Sequence, residues 1–233
     1  MIPLRDINPN ERPPLMTGAL ILLNLIVFGI QITVPESGQA AFFQAFGLVP
    51  ARFTIPDWAA KTGLGVSSLP FLTSMFLHGG WLHLIGNMWS LWLFGDNVED
   101  KLGHGRFLLF YVLSGLAAGG AQFAVDPHSA LPVIGASGAI AGVMGAYMIL
   151  FPKARILSIV TLGFFWRIMT LPAWIFIGLW IVFQFFSGTI ALAGSRGGAG
   201  GIAFWAHIGG FAAGAILLRA FFVPKPRRSL LGN

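Results

Sequence analysis

Gly135-Ala136-Ser137-Gly138-Ala139-Ile140-Ala141-Gly142-Val143-Met144-Gly145 begins a run that carries no charge as far as Phe151. An apolar helix needs about 20 residues to cross the hydrocarbon of a bilayer, so 135–151 is short for a span. It is also unusually rich in glycine and alanine, which makes it the least lipid-like segment of its neighbourhood. Longer apolar runs flank it, Phe107–Val125 before and Pro172–Ile190 after, and beyond these lie Gly80–Gly95 and Phe204–Val223. A further run, Leu15–Val34, follows a polar, proline-bearing segment at 1–14. It is too long for a signal-peptide core and ends without a small-x-small cleavage pattern, so it reads as a retained span. The expected fold is an all-α polytopic membrane protein with six helical spans over 15–223. A long first outer loop is expected at about 35–79 and a basic tail at 224–233.

Composition agrees with this reading. The chain has 233 residues, 56% of them hydrophobic and 9% charged, against about 45–50% and about 25% for an ordinary soluble domain. A free-standing soluble enzyme, a disordered tail and a nucleic-acid module are thereby excluded, and the lipid bilayer is the expected surrounding. With no cysteine, disulfides, thiolate nucleophiles and cysteine-ligated metals are excluded as well. The net charge of +6 reads as topology. Six spans place both termini on one side. Taking that side as cytoplasmic puts eleven Lys and Arg inside and three, Arg52, Lys61 and Arg196, outside, as the positive-inside rule requires. Ile156–Ile168, bracketed by Arg155 and Arg167, is too short to cross. It is expected to lie along the cytoplasmic face or to extend a neighbouring helix.

Polar side chains at membrane depth are costly and mark function by default. All eight acids fall in loops or at span ends. That excludes a paired-aspartate intramembrane protease and weakens proton-coupled carriers, while a His-Glu-x-x-His zinc site is absent and no internal repeat suggests a transporter. The polar groups in or near the spans are His78, His83, Asn87, Ser137 and His207, with Gln31, Gln122 and Gln184. His83 and Asn87 are four apart and share one helix face. Ser137 opens the fourth span and His207 lies near the start of the sixth. Spans two, four and six run in one direction, so these four groups come to one depth, just below the outer surface.

Small residues explain how they could meet. Gly138 and Gly142 form Gly-x-x-x-Gly beside the Ser137 stripe, and Gly210 and Gly214 follow His207. Faces of this kind let membrane helices approach closely. An imidazole beside a serine removes its proton during attack. With no carboxylate in the spans, the arrangement is a Ser-His dyad rather than a triad. His83, Asn87 and the Ser137 backbone N–H are the available donors for an oxyanion. Taken singly, Gly-x-Ser-Gly is ordinary close packing, a span histidine an interhelical hydrogen bond, and His78 a loop brace; their coincidence in depth and order favours chemistry.

At these residues the chain resembles the rhomboid family of intramembrane serine proteases. His83-Leu84-Ile85-Gly86-Asn87 matches His-x-x-x-Asn, Gly135-Ala136-Ser137-Gly138 matches Gly-x-Ser-Gly, and His207-Ile208-Gly209-Gly210 precedes Gly214. His78 matches a further family histidine. The resemblance implies a six-helix bundle, Ser137 as nucleophile, His207 as general base and then acid, and His83 with Asn87 at the oxyanion hole. Gly135, Gly138, Gly210, Gly214 and His78 would support the site. It also implies substrates that are single-span or other transmembrane proteins, cut near the outer face, at the plasma (inner) membrane, with no metal and no cofactor. A gate involving the fifth span and the loop above the site is expected. The alternative is a catalytically inactive relative that binds and escorts membrane clients. Two departures stand out. Ala141 occupies the position where members carry an aromatic that stacks on the catalytic histidine, leaving Trp205 and Phe211 as substitutes. Trp58 is followed by Ala59 where many members carry Trp-Arg, so the outer loop is braced differently.

Overall fold

The computed structural model describes residues 1–162, 165–194 and 203–222. The basic tail at 224–233, Val223 and Arg196 lie outside the described residues. The chain is mostly helical, with one small sheet. A strand, β1 (Ile2–Asp6), precedes α1 (Leu15–Gln31). The expected outer loop is itself largely helical: α2 (Glu36–Phe46), α3 (Ala51–Thr54), α4 (Trp58–Thr62), α5 (Pro70–Thr73) and a 3₁₀ turn at Ser74–Phe76. Then follow α6 (Trp81–Leu102), α7 (His104–Val125), α8 (Ser137–Leu150), β2 (Arg155–Leu162), β3 (Phe165–Pro172), α9 (Ala173–Gly194) and α10 (Phe204–Phe221). All six expected apolar runs are helices. Among the described residues, three of them, α7, α9 and α10, are long and apolar enough to cross a membrane, and α1 and α8 are shorter apolar helices.

The all-α expectation needs correction. Among the described residues of 156–168, none extends a neighbouring helix. Arg155–Leu162 and Phe165–Pro172 pair antiparallel, and β1 adds to β2 through Ile2 opposite Ile159 and Asp6 opposite Ile156, making a three-stranded sheet in the order β1-β2-β3. Ile156, Ile159, Val160, Thr161 and Ile168 are β-branched, the class that packs best on a pleated surface. A second correction concerns α6, which runs seven residues past the expected end at Gly95 and carries Asp96, Glu99 and Asp100 in its last two turns.

Glu99 explains why α6 continues. Its buried carboxylate accepts from Met16 N–H at 2.8 Å, and from Thr17 N–H and the Thr17 hydroxyl at 2.7 Å each. On its other side lies His104 Nδ1 at 2.5 Å, in the first turn of α7. The first amides of a helix have no partner within it and carry partial positive charge. One acid therefore joins the start of α1 and the start of α7 to the end of α6.

α8 is the centre of the molecule. Every residue from Gly138 to Tyr147 is buried, which accounts for its lack of lipid-like bulk. It lies against α10, α7 and α6. Lining this core are Leu84, Leu91 and Phe94 of α6, Phe107 and Phe110 of α7, and Ile177 of α9. By contrast α1 and α9 expose large apolar side chains, among them Leu22, Ile26 and Ile30, and Leu179, Val182 and Phe186. In the outer loop the bracing falls to Arg52. Its buried guanidinium donates to the Gln44 and Ala45 carbonyls at the end of α2, where the helix dipole favours a cation.

Candidate active site

The approach of α8 to α10 is set by missing side chains. A Cβ on Gly210 would run into the Gly138 carbonyl, and one on Gly214 into the Gly142 carbonyl. Backbone thus rests on backbone at two successive levels, as the small-residue spacing predicts. Ser137 is the first residue of α8 and His207 the fourth of α10. The crossing brings His207 Nε2 to 2.8 Å from Ser137 Oγ.

The other face of the His207 ring belongs to α9. Nδ1 lies 2.7 Å from Gln184 Oε1. The Trp180 ring lies against the imidazole, with centroids 5.7 Å apart and planes inclined at 37°. Neither of the expected substitutes for an aromatic at Ala141 occupies that place: Trp205 packs edge-on against Phe185, and Phe211 passes its backbone over Gly145 of α8. Gln184 was visible in the sequence as a polar residue in an apolar span, but nothing in its spacing ties it to a histidine 23 residues away on another helix. Trp180 has no sequence signal, since the span contains other aromatics.

His83 and Asn87 rise from the first two turns of α6 and face the backbone at Gly135. Gly135 has φ +124°, and a Cβ there would lie 2.8 Å from His83 Nε2 and 3.6 Å from Asn87 Nδ2. Only glycine satisfies both the backbone conformation and the close approach. His83 Nδ1 accepts a hydrogen bond from Gly79 N–H at 3.3 Å, which leaves the proton on Nε2, toward Gly135. Asn87 Nδ2 is buried without an acceptor. His78 is fully buried, edge-on to His83 at 5.1 Å. Its backbone is held from both sides by the Gln31 amide of α1, which donates to the His78 carbonyl and accepts from its N–H at 3.1 Å. Burial pushes the His78 imidazole down to about 4, with His83 adding to the effect.

The four polar groups open on one cavity of about 1000 Å³, walled by α6 on one side and by Phe176 and Trp180 of α9 on the other, and reaching Pro3 of β1 and Met1 before it. Among the described residues no group of three or more His, Asp or Glu side chains converges as a metal site.

The Rhomboid domain family model matches residues 67–224, a stretch that holds His78, His83, Asn87, Ser137, Gln184 and His207 but not Gln31. The Rhomboid protease GluP of Bacillus subtilis is 40% identical over 92 residues, 40% of this chain and 18% of that protein. Rhomboid protein 1, mitochondrial, of Saccharomyces cerevisiae is 32% identical over 154 residues, covering 64% of this chain and 40% of the relative. Rhomboid-like protein 11, chloroplastic, of Arabidopsis thaliana is 28% identical over 161 residues, 67% and 51% of the two chains. The matched stretches span less than two thirds of each of these relatives. With a family match over more than half its length and apolar helices to suit, the chain is an integral membrane protein belonging to the rhomboid family.

Proposed function

We propose that the chain is an intramembrane serine endopeptidase that cuts transmembrane segments of other membrane proteins by a Ser137–His207 dyad. The observation that carries this reading is the 2.8 Å separation of His207 Nε2 and Ser137 Oγ. With Nδ1–H given to Gln184, Nε2 is the bare nitrogen and accepts the hydroxyl proton. Ser137 Oγ attacks the scissile carbonyl as its proton passes to Nε2. The carbonyl oxygen becomes an oxyanion, and His83 Nε2–H, Asn87 Nδ2–H and the Ser137 N–H are the donors disposed toward it. The protonated imidazole then returns its proton to the leaving amine, and water releases the acyl group by the same steps in reverse roles.

The cavity between α6 and α9 is the route by which a substrate segment reaches Ser137, which makes α9 the gate. All six long helices are assigned as membrane crossings, including α1, α6 and α8, so that residues 15–223 form a six-helix bundle. The N-terminal segment 1–14 and the tail at 224–233 lie in the cytoplasm, and the site lies near the outer face of the plasma (inner) membrane. A fluorophosphonate probe tests the chemistry. The detergent-solubilised chain is expected to be labelled and to cleave a transmembrane substrate, and Ser137→Ala to lose both. Labelling that survives the substitution refutes the serine mechanism; a folded wild-type chain that neither labels nor cleaves points to a client-binding relative instead.

A further inference from the structure

Gln184 and Trp180 are one helical turn apart, so they project from one stripe of α9, and both end on His207. Gln184 is only 6% exposed, while its neighbours Val182, Phe183, Phe185 and Phe186 face outward. A neutral imidazole has one N–H and one bare nitrogen. An acceptor at Nδ1 therefore decides that Nε2 faces Ser137 without a proton. In the triad this place belongs to a carboxylate; here an uncharged amide oxygen stands there and orients the ring without adding charge. Ala141 of α8 is too small to hold the ring. We infer that Gln184 is the positioning residue of the dyad, with Trp180 as a second support, so that the base is set by α9. This rests on the Ser137–His207 reading above. It carries a consequence for the gate: α9 also walls the substrate cavity, and its outward displacement withdraws both supports from His207. The serine is then armed only while α9 is seated.

The test uses the full chain in detergent, measuring fluorophosphonate labelling together with kcat and KM on a transmembrane substrate across pH. Gln184→Leu is expected to slow labelling and kcat by about 10- to 100-fold, by analogy with the loss of outer partners that orient metal-bound histidines, with KM within about twofold. Gln184→Glu restores the acceptor. It is expected to recover most of the labelling lost in Gln184→Leu and to move the acid limb of the rate profile to higher pH, because a carboxylate favours the protonated ring. The profile is readable because, among the described residues, the titratable group facing His207 is His83 of α6; α8 and α9 present Ser137, Gln184 and Trp180, which carry no charge. A merely structural glutamine would not move that limb. Wild-type labelling in Gln184→Leu, or an unshifted limb in Gln184→Glu, overturns the assignment. If Gln184→Leu does not fold, the Gln184→Glu profile decides. Failure of the dyad reading is distinct, since then Ser137→Ala would still be labelled or the wild type would not be.

Discussion

Asn87 Nδ2 is buried and meets no acceptor in the protein, which ordinarily costs about 1–3 kcal/mol. A donor kept in that condition beside Gly135 suits an oxyanion that exists only during reaction. Asn87→Ala is therefore expected to lower kcat by about 10²–10³-fold while leaving KM nearly unchanged, measured on a transmembrane substrate. Unchanged turnover would remove Asn87 from the site. At this scale the sequence was informative: a serine, two histidines and an asparagine stand out in apolar spans because each polar group there needs a reason. What it could not supply was the identity of partners across helices. His207 meets Gln184 and Trp180 through the angle at which α9 packs, and no spacing along the chain encodes that angle.

Between elements, the decisive contact is α8 on α10. Gly210 and Gly214 lie against the carbonyls of Gly138 and Gly142, so the Ser137–His207 distance depends on backbone proximity rather than on side-chain reach. Gly210→Leu is expected to force the helices apart and abolish labelling, while circular dichroism still reports a helical protein. Retention of labelling at more than a tenth of the wild-type rate would show that the dyad tolerates separation. The small-residue pattern made this crossing legible in advance. The sheet was not legible, because its pairing is non-local: Ile2 lies opposite Ile159, and thirteen mostly apolar residues between arginines suit a surface helix as well as a hairpin until the third strand is known. The outer loop likewise conceals a short helix whose end is held by a distant partner: the Thr73 hydroxyl donates to the Phe46 carbonyl at the end of α2, 27 residues back.

Across the whole molecule, the sheet fastens the N-terminal strand to the helical core. The Trp89 indole donates to the Pro3 carbonyl at 2.7 Å, and the Tyr147 hydroxyl at the far end of α8 donates to the Asp6 carboxylate at 2.9 Å. Burial pushes the Asp6 carboxyl up to about 6, against the lowering effect of the Tyr147 bond. The folded state thus holds that proton more tightly than the unfolded chain, and the Asp6 contribution to stability falls as pH rises from about 4 through about 6. Asp6→Asn keeps an acceptor for Tyr147 without a charge to desolvate. It is expected to raise the unfolding midpoint above the wild type's at pH 7.5 and to narrow the difference at pH 4, followed by thermal unfolding in detergent. An equal midpoint at both pH values would show that Asp6 carries no such linkage. By itself the sequence determined the solvent of this protein, its long helices and the residue types available for chemistry, because hydropathy and helical period are local properties. Only the tertiary structure decided which helix orients His207, how α6 and α1 are joined through Glu99, and that Arg155–Leu162 pairs with both Phe165–Pro172 and Ile2–Asp6. Those outcomes depend on groups far apart in the chain, and packing alone brings them together.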